Sequence, residues 1–193
     1  MSELEWAERE KRLTRIRRVS AFMKWAVTII LLILLGLGAV VTIGIALPNE
    51  LMIGAQETFD VADTERMLGD IPQVQRIGIS ILAAIAFSLL LAVGWNIRQV
   101  FKRFQKMEFF SPKTLANVFS FGIWLIVFAV FDLISDPIGS VPLTYDFPPG
   151  QRTVDISLDG GEIFFLVLGA LMLLFGWILR EAALIADENQ QFI

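Results

Sequence analysis

The sequence predicts an all-α membrane protein: a bundle of four transmembrane helices with both termini inside, an amphipathic N-terminal helix and a small extracytoplasmic β-hairpin. Three observations carry this reading. Four apolar stretches each approach the ~20 residues needed to cross a ~30 Å hydrocarbon core. The connections between them are alternately basic and acidic. The apolar fraction of 55% and mean hydropathy of +0.66 exceed the ~45–50% apolar usage of ordinary soluble domains.

The stretches fall at 25–47, 74–96, 114–134 and 161–179. Segments 1–24, 97–113 and 180–193 then lie on one side of the membrane, and 48–73 and 135–160 form loops on the other. These pieces use the whole length, so 1–193 is read as a single membrane domain. Arg9, Lys11, Arg12, Arg15, Arg17, Arg18 and Lys24 precede the first span, and Arg98, Lys102, Arg103, Lys106 and Lys113 lie between the second and third. Basic short loops stay cytoplasmic, which places both termini and the middle connection on the cytoplasmic side. The outer loops are acidic, so the net charge of −4 conceals a basic inner face.

The chain contains no cysteine and no histidine. That removes thiolate nucleophiles, disulfides, Cys/His zinc sites and imidazole acid–base chemistry. No cofactor or metal site is expected. The first apolar run is longer than a signal-peptide core and lacks a small-residue cleavage pattern, so it reads as a retained helix.

Taken in order, Ser2-Glu3-Leu4-Glu5 fits a capping box. Trp6, Leu13, Ile16, Ser20 and Met23 then fall near one helical face, as in a helix lying on the inner membrane surface. A solvated helix that simply continues into the first span fits the same residues. The first span carries no charge and ends at Pro48-Asn49. In the loop that follows, Phe59 to Gly69 reads as a short surface helix, and Asp70 caps the second span with Pro72 in its first turn.

Ser80, Ala84, Ser88 and Ala92 form a stripe of small residues along the second span, the pattern that lets membrane helices approach closely. Packing within the protomer is preferred over a homo-oligomer seam. The apolar periodicity runs on through Ile97, Val100, Phe101, Phe104 and Met107, so this helix projects into the cytoplasm. Ser111-Pro112 supplies an N-cap with proline at the first helical position. Asp132 sits near the outer end of the third span, where a candidate ion or proton ligand competes with a hydrogen-bonded terminal residue. Val141-Pro-Leu-Thr-Tyr145 and the alternating run Arg152–Leu158 are read as the two arms of the hairpin. Asp159-Gly-Gly-Glu162 caps the fourth span.

Gly169 and Gly176, then Arg180-Glu181, Leu184 and Asp187-Glu188-Asn189, together with Glu108-Phe109-Phe110-Ser111-Pro112 ahead of Gly122, resemble a family. It is an uncharacterised bacterial family of four-span membrane proteins known only as a domain of unknown function. Its members often occur beside small Cro/CI-type helix-turn-helix regulators. The resemblance implies a membrane partner for such a DNA-binding protein, and it carries over no catalytic residue.

Three function classes follow. The leading one is a regulatory or interaction module whose cytoplasmic face, through Arg98, Lys102, Arg103, Lys106, Arg180, Glu181, Asp187, Glu188 and Asn189, contacts a partner or anionic lipid. The alternative is an oligomeric transporter or channel subunit, disfavoured because the span centres hold no ionisable residue and no proline. An intramembrane enzyme is least supported, because Ser80, Ser88 and Asp132 lie on different helices or at different depths. Direct nucleic-acid binding is not expected, and a homo-oligomer stays open.

Overall fold

A computed structural model describes residues 3–48, 57–61, 64–145, 154 and 160–191. Its elements are α1 (Glu3–Ala46), β1 (Thr58–Val61), β2 (Thr64–Met67), a 3-10 turn (Leu68–Asp70), α2 (Gln73–Gln105), α3 (Pro112–Thr144) and α4 (Gly160–Gln191). Four helical stretches, Leu13–Ala46, Gln73–Gln105, Pro112–Val141 and Gly160–Ile185, are long and apolar enough to cross a membrane. Along α1, Ile29, Ile30, Leu32, Ile33, Leu35 and Leu37 all remain exposed. An apolar surface that wraps round a helix in this way suits lipid and not water. The protein is a multi-pass membrane protein.

The chain forms two compact units, and each long helix contributes to both. The first comprises Met1–Leu32, Ala92–Leu125 and Val167–Ile193. Within it α1 and α2 run antiparallel: Lys24 bonds Gln105, Thr28 bonds Arg98, and Leu31 lies against Gly94. α3 and α4 approach more closely still. A Cβ on Gly122 would stand 2.9 Å from the Gly169 carbonyl oxygen and 2.9 Å from the Leu173 nitrogen. Both are backbone atoms that cannot turn away, so only glycine allows this crossing.

The second unit comprises Ile33–Leu91 and Ile126–Leu166. Its apolar core joins Ile45, Leu68, Ile71 and Leu143, with Val41, Ile79 and Ala83 packed against it. Phe128 meets Phe165 edge-on at 5.5 Å between ring centres, a favoured aromatic geometry. Gly38 approaches the Phe87 ring, where an added Cβ would stand 2.8 Å from Cγ.

Two expectations are corrected here. The segment read as a surface helix from Phe59 to Gly69 is instead an antiparallel hairpin, Thr58 opposite Met67 and Val61 opposite Thr64, followed by the 3-10 turn. Thr58, Phe59, Val61 and Thr64 are β-branched or aromatic, which favours the extended chain. The hairpin expected around 141–158 loses its first arm, because α3 continues through Val141 to Thr144. Leu143 and Thr144 are buried there, and packing overrides the extended reading of Val-Pro-Leu-Thr. Pro137 lies inside α3 and removes one backbone donor. Hydroxyls reinforce the same end: Ser135 donates to the Asp132 carbonyl, Ser140 to Pro137 and Thr144 to Ser140. The second arm lies outside the described residues apart from Val154, which forms no strand.

Helix starts follow local chemistry. Ser111 Oγ accepts from the Thr114 N–H at 3.2 Å, and Pro112 opens α3 as expected. At α2 the capping position belongs to Pro72, whose carbonyl accepts from Gln75 and Arg76, while Asp70 belongs to the 3-10 turn. Glu162 is buried in the first turn of α4, where a carboxylate meets the positive end of the helix dipole. Ser2 and Asp159, the other proposed caps, lie outside the described residues.

Candidate functional site

The chemistry of the first unit concentrates where α1 enters its apolar run and α2 leaves its own. Lys24 Nζ donates to Gln105 Oε1 at 2.9 Å and lies 5.6 Å from the Trp25 ring centre. Arg98 Nε donates to Thr28 Oγ1 at 2.9 Å, and its guanidinium stands 5.1 Å from the Trp95 ring centre. Thr28 in turn donates to the Lys24 carbonyl. These links tie two cations of one face to two aromatic rings, an arrangement that orients a charge without neutralising it.

Beside them, Arg17, Lys24, Lys102, Gln105, Lys106 and Met107 line a cleft of about 550 Å³. No carboxylate lines it among the described residues. Lys102, in the last turn of α2, and Lys106, just beyond it, are both exposed. Arg103 points elsewhere: its guanidinium pairs with Glu108 at 3.2 Å. This pair bridges the end of α2, where the Glu108 N–H reaches the Arg103 carbonyl and the Met107 N–H reaches that of Phe104. That is a Schellman ending, with Met107 in the left-handed position at φ 63°.

The structure therefore separates the sequence-predicted cations. Lys102 and Lys106 face the cleft, Arg98 is held by Thr28 and Trp95, and Arg103 closes a helix. Arg17, Lys24 and Gln105 enter the site although the sequence reading did not select them as contacts. Their signal was present as the near-mirrored pairs Lys24-Trp25 and Trp95…Arg98 at the ends of two apolar runs.

Elsewhere in this unit, Arg180 and Glu181 are exposed on α4, and the helical backbone continues through Asp187, Glu188 and Asn189. Arg180 borders an apolar groove of about 560 Å³ with Phe110, Leu115, Phe119, Trp177 and Leu184. In the second unit, Asp136, Ser135 and Ser140 line a cavity of about 400 Å³ between α2 and α3, with Leu82 and Phe131. Asp132 is half-buried and engaged in interactions of its own. α3 continues beyond Asp132 to Thr144, so this residue does not stand at the helix end.

Along the small-residue stripe, Ser80 is buried, Ala84 and Ala92 half-buried, and Ser88 exposed. Both hydroxyls bond within their own helix, Ser80 to the Ile77 carbonyl and Ser88 to that of Ala84. Among the described residues no group of three or more acidic side chains could hold a metal ion. Compared with known proteins, the chain matches no family model, no curated protein and no solved structure.

Proposed function

We propose that this protein is an inner-membrane interaction module, with both termini cytoplasmic, that docks a soluble partner on its cytoplasmic face. The observation that carries this reading is the continuity of the helices beyond their apolar runs. α4 has 32 residues, about 48 Å of helix against a ~30 Å hydrocarbon core. Its surplus is the charged end Arg180–Gln191, and α1 and α2 add charged ends of their own. A helical backbone that is already formed at such an end lowers the ordering cost of binding.

Glu181, Asp187 and Glu188 make the α4 end acidic. A partner with a basic surface is its complement, and the DNA-contacting face of a small helix-turn-helix regulator has that chemistry. Docking there would compete with DNA, linking the membrane module to regulation. Charge complementarity of this sort favours specificity and fast association.

The test is co-purification from native membranes, comparing the wild-type chain with Glu181→Lys/Glu188→Lys. A helix-turn-helix protein is expected with the wild type, and at least five-fold less of it with the charge-reversed chain at equal membrane insertion. Unchanged recovery would remove the α4 end as the docking surface.

A further inference from the structure

The cleft formed by α1 and the end of α2 has the charge of an anion site and the aromatic framing of a membrane interface. Arg17, Lys24, Lys102 and Lys106 line it without a carboxylate among the described residues. The nearby acid Glu108 is already paired with Arg103. Lys102 and Lys106 repel one another at the end of α2 unless an anion lies between them. Lys24 gives one of its three N–H donors to Gln105, leaving two for a ligand.

The two tryptophans set the depth. Trp25 opens the apolar run of α1 and Trp95 closes that of α2, and they are 62% and 54% exposed. Exposed indole rings at such positions mark the headgroup level of a bilayer. Each carries a cation over its ring: Lys24 of the cleft on Trp25, and Arg98, held by Thr28, on Trp95. Apolar side chains exposed further along α1, such as Ile29 and Ile30, offer acyl chains a surface. The volume, about 550 Å³, lies within the ~300–1,000 Å³ range of small-ligand sites.

We propose that this cleft binds the phosphate headgroup of an anionic phospholipid of the surrounding leaflet. The lysines receive the phosphate, while Trp25 and Trp95 hold the site at interface depth. Bound lipid would screen the lysine repulsion and clamp α1 to the end of α2. The site shares no residue with the acidic end of α4, so it stands independently of partner docking there.

Native mass spectrometry of the purified full chain in neutral detergent tests this, with phosphatidylglycerol, phosphatidylcholine and free glycerol 3-phosphate as probes. Phosphatidylglycerol is expected to bind at least ten-fold more tightly than phosphatidylcholine, and free glycerol phosphate far more weakly. Each cation near an anionic headgroup contributes about five-fold. Lys24→Gln/Lys102→Gln/Lys106→Gln should therefore weaken phosphatidylglycerol binding by one to two orders of magnitude. Lys11→Gln/Arg15→Gln/Lys113→Gln removes the same charge elsewhere and should leave it within about two-fold. Lys106→Gln alone, the mildest change, should lose about five-fold and serves if the triple variant fails to fold. Equal loss in both triple variants would overturn the site, as would undiminished binding in the cleft variant. Glycerol phosphate binding as tight as that of the lipid would also overturn it.

Discussion

At the residue scale, Met107 shows how local strain and helix termination meet. It occupies the left-handed position after α2 at φ 63°, where glycine is the usual residue. A side chain there costs roughly 1–2 kcal/mol, partly offset in any glycine variant by backbone entropy. Met107→Gly is therefore expected to raise stability by about 0.5–1 kcal/mol in unfolding from detergent micelles. No gain would mean that Met107 makes packing contacts worth as much as the strain. Arg66 gives a second residue-scale lesson. In the sequence it is the one basic residue of segment 48–73. In the structure its guanidinium donates to the Leu143 carbonyl near the end of α3 and to the Asp70 carbonyl, satisfying acceptors at a helix terminus. Nothing in the sequence joins positions 66 and 143, because that bond depends on the packing of the loop.

At the element scale, glycines separate into those that permit contact and those that do not. Gly122 faces the α4 backbone at distances a methyl group cannot share, whereas Gly36 meets nothing within 4 Å. Gly122→Ala should destabilise the α3–α4 pair by about 1–3 kcal/mol through overpacking. Gly36→Ala should be neutral or slightly stabilising, since alanine is the better helix former. Unfolding midpoints of the two variants, measured side by side, check the contrast; equal midpoints would refute the tight α3–α4 crossing. The existence of the helices was legible from apolar run length, and Ser111-Pro112 announced the start of α3 correctly. The connections that follow α1 and α3 were not legible. Short segments carry weak local preferences, and at 141–144 burial of Leu143 and Thr144 outweighs the proline-bearing extended pattern.

At the scale of the whole molecule, charge placement predicts orientation. Reporter fusions after Leu47, Lys106 and Ile193 should report outside, inside and inside respectively, following the basic segments 1–24 and 97–113. An outward reading at Lys106 would reverse the topology and move the basic cleft away from the cytoplasmic leaflet. The same continuous helices then carry both proposals: an acidic end on α4 for a protein partner, and a basic cleft on α1 and α2 for a lipid.

Membrane residence and the number of candidate spans followed from sequence alone, because transfer of ~20 apolar residues into hydrocarbon is a local, additive quantity. So did the basic character of segments 1–24 and 97–113. Which cations gather at one place did not, since Lys24 and Gln105 stand 81 positions apart and meet only through antiparallel packing. Tertiary structure alone assigned Arg103 to helix closure and Lys102 and Lys106 to the cleft. It likewise placed the hairpin between α1 and α2, where the adjoining Leu68 and Ile71 join the core formed with Ile45 and Leu143. Those choices depend on non-local burial, which no window of the sequence contains.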